Sequence, residues 1–172
     1  MTTPHDAGRV AVVTGASSGI GEATARLFAA EGARLTLCDV AMEPLKEVAD
    51  SIAAEGGEAV AVECNVADED SVKAMIQATL DAFGKIHILI NNAGITRDTL
   101  TPRMSVEDWD LVMSVNLKGS FLTAKHALLK MERGGHVVNP ASIAPLGNRG
   151  QANYSASKAG VIGLTRTLAL EY

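Results

Sequence analysis

The chain alternates short apolar runs with longer stretches in which apolar residues recur every three or four positions. Five runs are nearly continuous in Val, Ile, Leu and Ala. Such runs are typical of strands that are buried on both faces of a parallel sheet. They predict five strands, at residues 9–14, 34–39, 59–65, 86–91 and 136–139.

The stretches between these runs have helical periodicity. Apolar side chains at positions 20, 23, 27 and 30 share one helix face, as do those at 45, 48 and 52 and those at 72, 75, 76 and 83. A longer helix is predicted from residue 105 to about 131, and a last helix from 153 to 172. Repeated β-α-β units with right-handed crossovers predict an α/β fold, a doubly wound parallel sheet of the Rossmann type with strand order 3-2-1-4-5. We expect one domain over residues 9–172 after a flexible tail at residues 1–8.

The segment TGASSGIG, residues 14–21, joins the first predicted strand to the first predicted helix. Glycine accepts positive φ angles and lets the backbone approach a ligand closely. The N-terminus of the following helix offers free N–H groups and a positive dipole end to a pyrophosphate, and the two serines add hydroxyl donors. This strand–loop–helix context predicts a dinucleotide-binding loop made of Gly15, Ser17, Ser18, Gly19, Ile20 and Gly21.

An acidic residue ends the second predicted strand. Asp39 lies eighteen residues beyond Gly21, close to the ~20 that separate such a loop from a ribose-binding carboxylate. A carboxylate accepts hydrogen bonds from both ribose hydroxyls and repels a 2′-phosphate. No arginine stands in the loop or directly after Asp39 to offset that repulsion. The sequence therefore predicts NAD as the cofactor rather than NADP.

Composition narrows the classes of partner. The net charge is −5 with acids and bases interspersed, which gives no basic patch for nucleic acid. No apolar run has membrane-spanning length, and the N-terminus lacks an apolar signal region. Cys38 and Cys64 are too few for a disulfide framework or a zinc site, and the histidines show no ligand spacing. We expect a cytoplasmic protein with reduced cysteines, no metal, no nucleic acid and no membrane partner.

A tyrosine and a lysine stand four residues apart in the last predicted helix. At this spacing Tyr154 and Lys158 project from the same helix face. A phenol is a poor base at neutral pH, and a nearby cation favours its ionised form. The pair therefore predicts a general acid/base that exchanges a proton with a carbonyl or alcohol oxygen.

Taken together, the motifs resemble those of the short-chain dehydrogenase/reductase family, and their text is similar in particular to 3-oxoacyl-carrier-protein reductases. They follow the family's order along nearly the whole chain: TGASSGIG, CNV at 64–66, NNAG at 91–94, Asn116, Ser142 and YSASK at 154–158. The resemblance implies a nicotinamide-dependent oxidoreductase of fatty acid metabolism that acts on a ketone, secondary alcohol or 3-oxoacyl thioester. It also implies a homo-oligomer that forms through the helices carrying Asn116 and Tyr154.

Residue roles follow from the same resemblance. Asn65 and Val66 are expected beside the adenine, and Asn92, Ala93 and Gly94 are expected to form a wall beside the cofactor ribose. Lys158 is expected to hold the nicotinamide ribose next to Tyr154, while Ser142 donates a hydrogen bond to the substrate oxygen. For Asn116 two interpretations stay open: a water-bound member of a proton relay, or a helix-packing amide bonded to backbone.

The sequence departs from the family pattern around Ser142. The interval from Ser142 to Tyr154 is one residue shorter than usual, and Pro145 stands near a position often held by glycine. Because proline fixes φ, we expect the loop to follow a different path. Pro140 predicts that the preceding strand ends at Asn139.

The chain also stops at Tyr172, where the family continues with two more strands. From these departures we expect a Rossmann domain that lacks those strands. The alternative functions are a dehydrogenase of sugars, steroids or small alcohols, and a non-catalytic nucleotide-binding or oligomerisation module. An apolar unpaired edge at the fifth strand would favour the module, and a preserved Ser142–Tyr154–Lys158 geometry would favour the enzyme.

Overall fold

The computed structural model of the chain describes residues 6–172 and contains one five-stranded sheet. The strands are β1 Val10–Thr14, β2 Arg34–Asp39, β3 Glu58–Glu63, β4 Ile86–Ile90 and β5 Met131–Val138. They pair in parallel in the order β3-β2-β1-β4-β5, which confirms the predicted topology.

Helices cover both faces of the sheet. They are α1 Gly19–Ala30, α2 Met42–Ala54, α3 Glu69–Phe83, α4 Val106–Met113, α5 Gly119–Leu128 and α6 Ala152–Glu171. Alternate residues of β1 enter different cores: Val13 packs with Leu45 and other residues on one face, whereas Val12 packs with Met75 and Leu122 on the other. This double burial explains why the strands read as continuous apolar runs.

The predicted long helix is divided. A π-helical turn at Ser114–Lys118 separates α4 from α5, and α5 ends at Leu128 rather than near Met131. Such turns insert one residue into the helical repeat and are frequent at functional sites. Asn116, which the sequence identified as a site residue, lies in this turn and is 1% exposed.

The fifth strand begins earlier than predicted. β5 starts at Met131, and Gly134 and Gly135, which the sequence indicated as a loop, lie inside it. Met131 pairs with Ile86 and His136 pairs with Ile88, so extra residues on β5 are absorbed by an irregularity in the register. Gly134 adopts φ +82°, a conformation that favours glycine at such an irregularity. The strand ends one residue before Asn139, and the backbone leaves the sheet ahead of Pro140.

Residues 1–5 of the predicted tail lie outside the described residues, whereas residues 6–8 form a turn in which the Gly8 N–H donates to Gly32 O at 3.1 Å. Across residues 6–172, no helix has both the length and the apolarity needed to cross a membrane.

Candidate active site

A cavity of about 520 Å³ opens at the carboxyl ends of β1, β2 and β4, beside the point where the chain order reverses in the sheet. In open α/β sheets this crevice is where ligands bind. Most residues predicted to hold a cofactor line it: Gly15, Ser17, Ser18, Gly19, Ile20, Asp39, Asn65, Val66, Asn92, Ala93 and Gly94. Sequence reasoning missed four other lining residues, Val40, Cys64, Ile95 and Val115.

The loop between β1 and α1 depends on two glycines. Gly15 has φ +66°, and a Cβ built on it would stand 2.8 Å from Ala93 Cα. A Cβ on Gly21 would collide with Gly15 O and stand 2.6 Å from Asn92 Nδ2. Gly21 does not line the cavity. It is required because only a residue without a side chain lets the start of α1 approach Gly15 and Asn92 so closely. The cradle left by these missing side chains fits the pyrophosphate of a dinucleotide.

Asn92 fastens the loop to the end of β4. Its Nδ2 donates to Thr14 O at 3.1 Å and to Gly15 O at 3.0 Å. Thr14 Oγ1 accepts the Ala93 N–H at 3.0 Å and donates to Ile90 O at 3.3 Å. The NNAG segment and the glycine loop are therefore one hydrogen-bonded unit.

Asp39 is held by the same loop. Its Oδ2 accepts from the Ser17 N–H at 3.2 Å and from Ser17 Oγ at 2.8 Å, and its Oδ1 accepts from the Ala41 N–H at 3.1 Å. These bonds fix a carboxylate at the end of β2 on the cavity wall, where a ribose acceptor is expected.

Two cysteines lie close to Asp39. Cys38 precedes it in β2, and Cys64 directly follows β3. A hydrogen bond with Cys64, together with burial, raises the pKa of Cys38 well above its usual value. The same hydrogen bond lowers the pKa of Cys64. Both side chains are buried and unpaired by any disulfide.

Tyr154 and Lys158 lie together on α6, as their spacing predicts. Lys158 Nζ stands 5.9 Å from the centre of the Tyr154 ring, and Lys158 is 7% exposed. Burial lowers the pKa of Lys158, and its Nζ donates to Pro140 O at 2.8 Å. Neither residue lines the cavity formed by the described part of the chain.

Ser142 is not joined to that pair by a hydrogen bond within residues 6–172. Its Oγ accepts the Ala144 N–H at 3.1 Å, at the start of a 3₁₀ turn Ala144–Leu146 that contains Pro145. This local turn sets the path of the loop after Ser142.

The Asn116 side chain is engaged with protein groups. Its Oδ1 accepts the Ile95 N–H at 2.8 Å, and its Nδ2 donates to Ile95 O at 2.9 Å and to Ser157 Oγ at 3.2 Å. The amide thereby ties the π-helical turn to the segment after NNAG and to α6. Hydrogen bonds to backbone are what the packing interpretation expects, and the water-bound relay stays a prediction.

Residues 9–172 match the family described as short chain dehydrogenase. The chain belongs to this family. It is 50% identical over 170 residues to a 3-oxoacyl-[acyl-carrier-protein] reductase of Synechocystis sp., covering 95% of this chain and 68% of that protein. It is 42% identical over 165 residues to the (2S)-[(R)-hydroxy(phenyl)methyl]succinyl-CoA dehydrogenase subunit BbsD of Thauera aromatica, covering 95% and 66%.

Solved structures agree with this membership. The crystal structure of a short chain dehydrogenase/reductase from Burkholderia phymatum in complex with NAD superposes with a TM-score of 0.94 at 37% identity, covering 100% of this chain and 62% of that one. The chain spans about two thirds of the length of these family members.

Several polar residues in and around the short-chain dehydrogenase motifs were given no role in the site from the sequence. Asn91, Thr123, Asn139 and Thr165 form a hydrogen-bonded series that links β4, α5, β5 and α6. Asn153 and Ser157, both 0% exposed, flank Tyr154. In the sequence, Asn153 and Ser157 could have been found as polar residues on the buried face of α6, where apolar residues are expected.

The glycine cradle generates a direct test. In Gly21→Ala the added methyl group meets Gly15 O and Asn92 Nδ2, so the loop must move and NADH affinity should fall about 100-fold or more. The control is Gly163→Ala, since a Cβ at that α6 position meets nothing within 4 Å. Fluorescence titration with NADH measures both variants, and equal affinities would show that the cradle is not needed.

Proposed function

We propose that the chain is an NAD-dependent oxidoreductase that interconverts a secondary alcohol and a ketone. The observation that carries the proposal is the buried Lys158 ammonium 5.9 Å from the Tyr154 ring. It lies in a chain whose glycine loop and strand-end carboxylate line one cavity. A buried lysine beside a phenol has few structural uses, because burial disfavours its charge.

The residues of the cavity have the chemistry that such a cofactor requires. The backbone of Gly15, Ser17, Ser18, Gly19 and Ile20 would hold the pyrophosphate, and Asp39 would accept the ribose hydroxyls. Asn65 and Val66 would border the adenine, and Asn92, Ala93 and Gly94 the other ribose. When bound, the nicotinamide supplies the hydride.

The protein side chains then transfer the proton and bind the substrate oxygen. The Lys158 ammonium would bind a ribose hydroxyl of the cofactor. Tyr154 gives a proton to the carbonyl oxygen in reduction and removes it from the alcohol in oxidation. Ser142 accepts the Ala144 N–H through Oγ, which leaves its O–H able to donate to the substrate oxygen. Asn116 acts by holding the backbone of Ile95 and the side chain of Ser157.

The substrate we propose is a 3-oxoacyl thioester in fatty acid metabolism. Two relatives carry names with thioester substrates, an acyl-carrier-protein conjugate and a CoA conjugate. Ile143, directly before the turn Ala144–Leu146, and Leu146, its last residue, are 84% and 91% exposed, a disposition suited to contact with an acyl chain. Sugars, steroids and small alcohols are the alternative substrates.

Assembly and location belong to the same proposal. Trp109, Leu111 and Phe121 are exposed on the two helices that flank the π-helical turn, and Leu170 is exposed on α6. Apolar exposure on these helices supports a homo-oligomer that forms through them. We propose that the protein acts in the cytoplasm.

A second candidate is a module that binds the nucleotide without turnover. One hydrogen bond favours it, because Lys158 Nζ already donates to Pro140 O.

Cofactor choice tests the role of Asp39. Two like charges about 4 Å apart repel by about 1 kcal/mol in water and about 4 kcal/mol near a protein surface, so NADH should bind at least about tenfold more tightly than NADPH. Asp39→Asn should reduce that ratio. Competitive fluorescence titration measures both affinities, and tighter binding of NADPH to the unaltered chain would contradict the assignment.

Turnover separates the two candidate functions. We expect NADH-dependent reduction of an acetoacetyl thioester, with kcat lower by at least about 100-fold in Tyr154→Phe, the scale of general acid/base catalysis. NADH affinity should stay unchanged in this variant, because its ring is retained. If the unaltered chain binds NADH but reduces the thioester no faster than Tyr154→Phe, the binding module is the correct function.

A further inference from the structure

The backbone of Tyr154 is held at both its N–H and its C=O by buried polar side chains. The Tyr154 N–H donates to Asn153 Oδ1 at 2.7 Å, and Ser157 Oγ donates to Tyr154 O at 2.8 Å. Asn153 and Ser157 are each 0% exposed. A polar side chain that is fully removed from water is costly unless its hydrogen bonds are made, so both sites are tightly constrained.

Asn153 replaces a helix cap. Tyr154 is the third residue of α6, and its N–H is one of the donors that a helix leaves unsatisfied at its start. The residue before the helix, Gln151, makes no side-chain cap, because its amide is bonded to Asp98 and Asn148. The acceptor that Tyr154 needs therefore comes from inside the helix.

The other end of the Asn153 amide reaches two further segments. Nδ2 donates to Arg97 O at 3.1 Å, in the segment after NNAG, and to Asp108 O at 3.4 Å, in α4. One side chain thus links the first turn of α6 to the segment after NNAG and to α4. A helix-stabilising cap alone would need neither contact.

Ser157 makes the corresponding link one turn later. Its Oγ accepts from Asn116 Nδ2 at 3.2 Å while it donates to Tyr154 O. Asn116 is itself fixed to the backbone of Ile95 by two hydrogen bonds. Both supports of Tyr154 therefore end on the segment that follows Gly94.

We propose that Asn153 and Ser157 form a tyrosine clamp, a pair of positioning residues that fixes where Tyr154 stands relative to the segment after Gly94, which includes Ile95 of the cavity lining. The clamp acts through the Tyr154 backbone and touches neither substrate nor cofactor. It rests on the proposed function for its catalytic consequence. Its effect on the position of Tyr154 does not depend on that function.

The test uses the two tyrosines of the chain, Tyr154 and Tyr172. With tyrosine labelled by ¹³C at the ring carbon that bears the hydroxyl, Tyr154→Phe assigns the two NMR signals. In Asn153→Ala the Tyr154 signal should shift or broaden while the Tyr172 signal stays in place. Asn148→Ala is the matched control, because this exposed asparagine bonds only within its own loop.

Kinetics supply the second readout. A displacement of about 1 Å at a reacting group can cost about 100-fold in rate, so kcat of Asn153→Ala should fall by that order. NADH affinity and KM should stay within about threefold, since the cavity lining is untouched. A residue needed only for folding would instead lower the fraction of chain that binds NADH and leave kcat per bound NADH unchanged.

The outcomes are separable. An unmoved Tyr154 signal, or an unchanged kcat per NADH site, in Asn153→Ala overturns the clamp. If Asn153→Ala does not fold, Ser157→Ala decides with the same two readouts. We expect a loss of about tenfold in kcat, because Tyr154 O loses the hydrogen bond from Ser157 Oγ. An unaltered chain without turnover rejects the proposed function, and the ring signal still decides the clamp.

Discussion

The site depends on the pair of hydrogen bonds that Asn92 Nδ2 donates to Thr14 O and Gly15 O. They join the carboxyl ends of β1 and β4, from which the chain leaves toward opposite faces of the sheet. Only glycine fits at positions 15 and 21 while these bonds exist, because any side chain there would meet the NNAG backbone, the loop or Asn92 itself. The cavity at the carboxyl ends of the strands lies beside this junction and is lined by Gly15 and Asn92.

From that junction the polar network continues to α6, the helix that carries Tyr154. Ala93 bonds to Thr14, and the Ile95 backbone bonds to Asn116, whose amide reaches Ser157 and so α6. The cavity wall and the part of α6 that carries Tyr154 are therefore joined in one hydrogen-bonded framework. Since buried polar networks are stable only when each member is satisfied, this framework constrains both halves together.

The sequence predicted those features that follow from local pattern. The five strands, their order and the glycine loop came from apolar runs and glycine spacing, and Asp39 from its distance along the chain. The π-helical turn at Asn116 and the early start of β5 were not predictable, because each depends on packing between distant segments. Pro145 indicated an altered loop after Ser142, but the hydrogen bond from the Ala144 N–H to Ser142 Oγ was not anticipated. The same holds for Asn153, whose partners lie about fifty residues away. The sequence shows an asparagine beside the motif tyrosine, but it does not show that this side chain is buried or which residues it contacts.

The most direct test of this account is the NADH affinity of Asn92→Ala. Without the amide, Thr14 O and Gly15 O lose a donor and the two strand ends lose their link, at a cost of about 1–3 kcal/mol for a partly buried unsatisfied group. Calorimetric titration should therefore show NADH binding about tenfold to 100-fold weaker than for the unaltered chain, with the fold retained by circular dichroism. An unchanged affinity in the folded variant would contradict the account, because the cavity would then form without the junction.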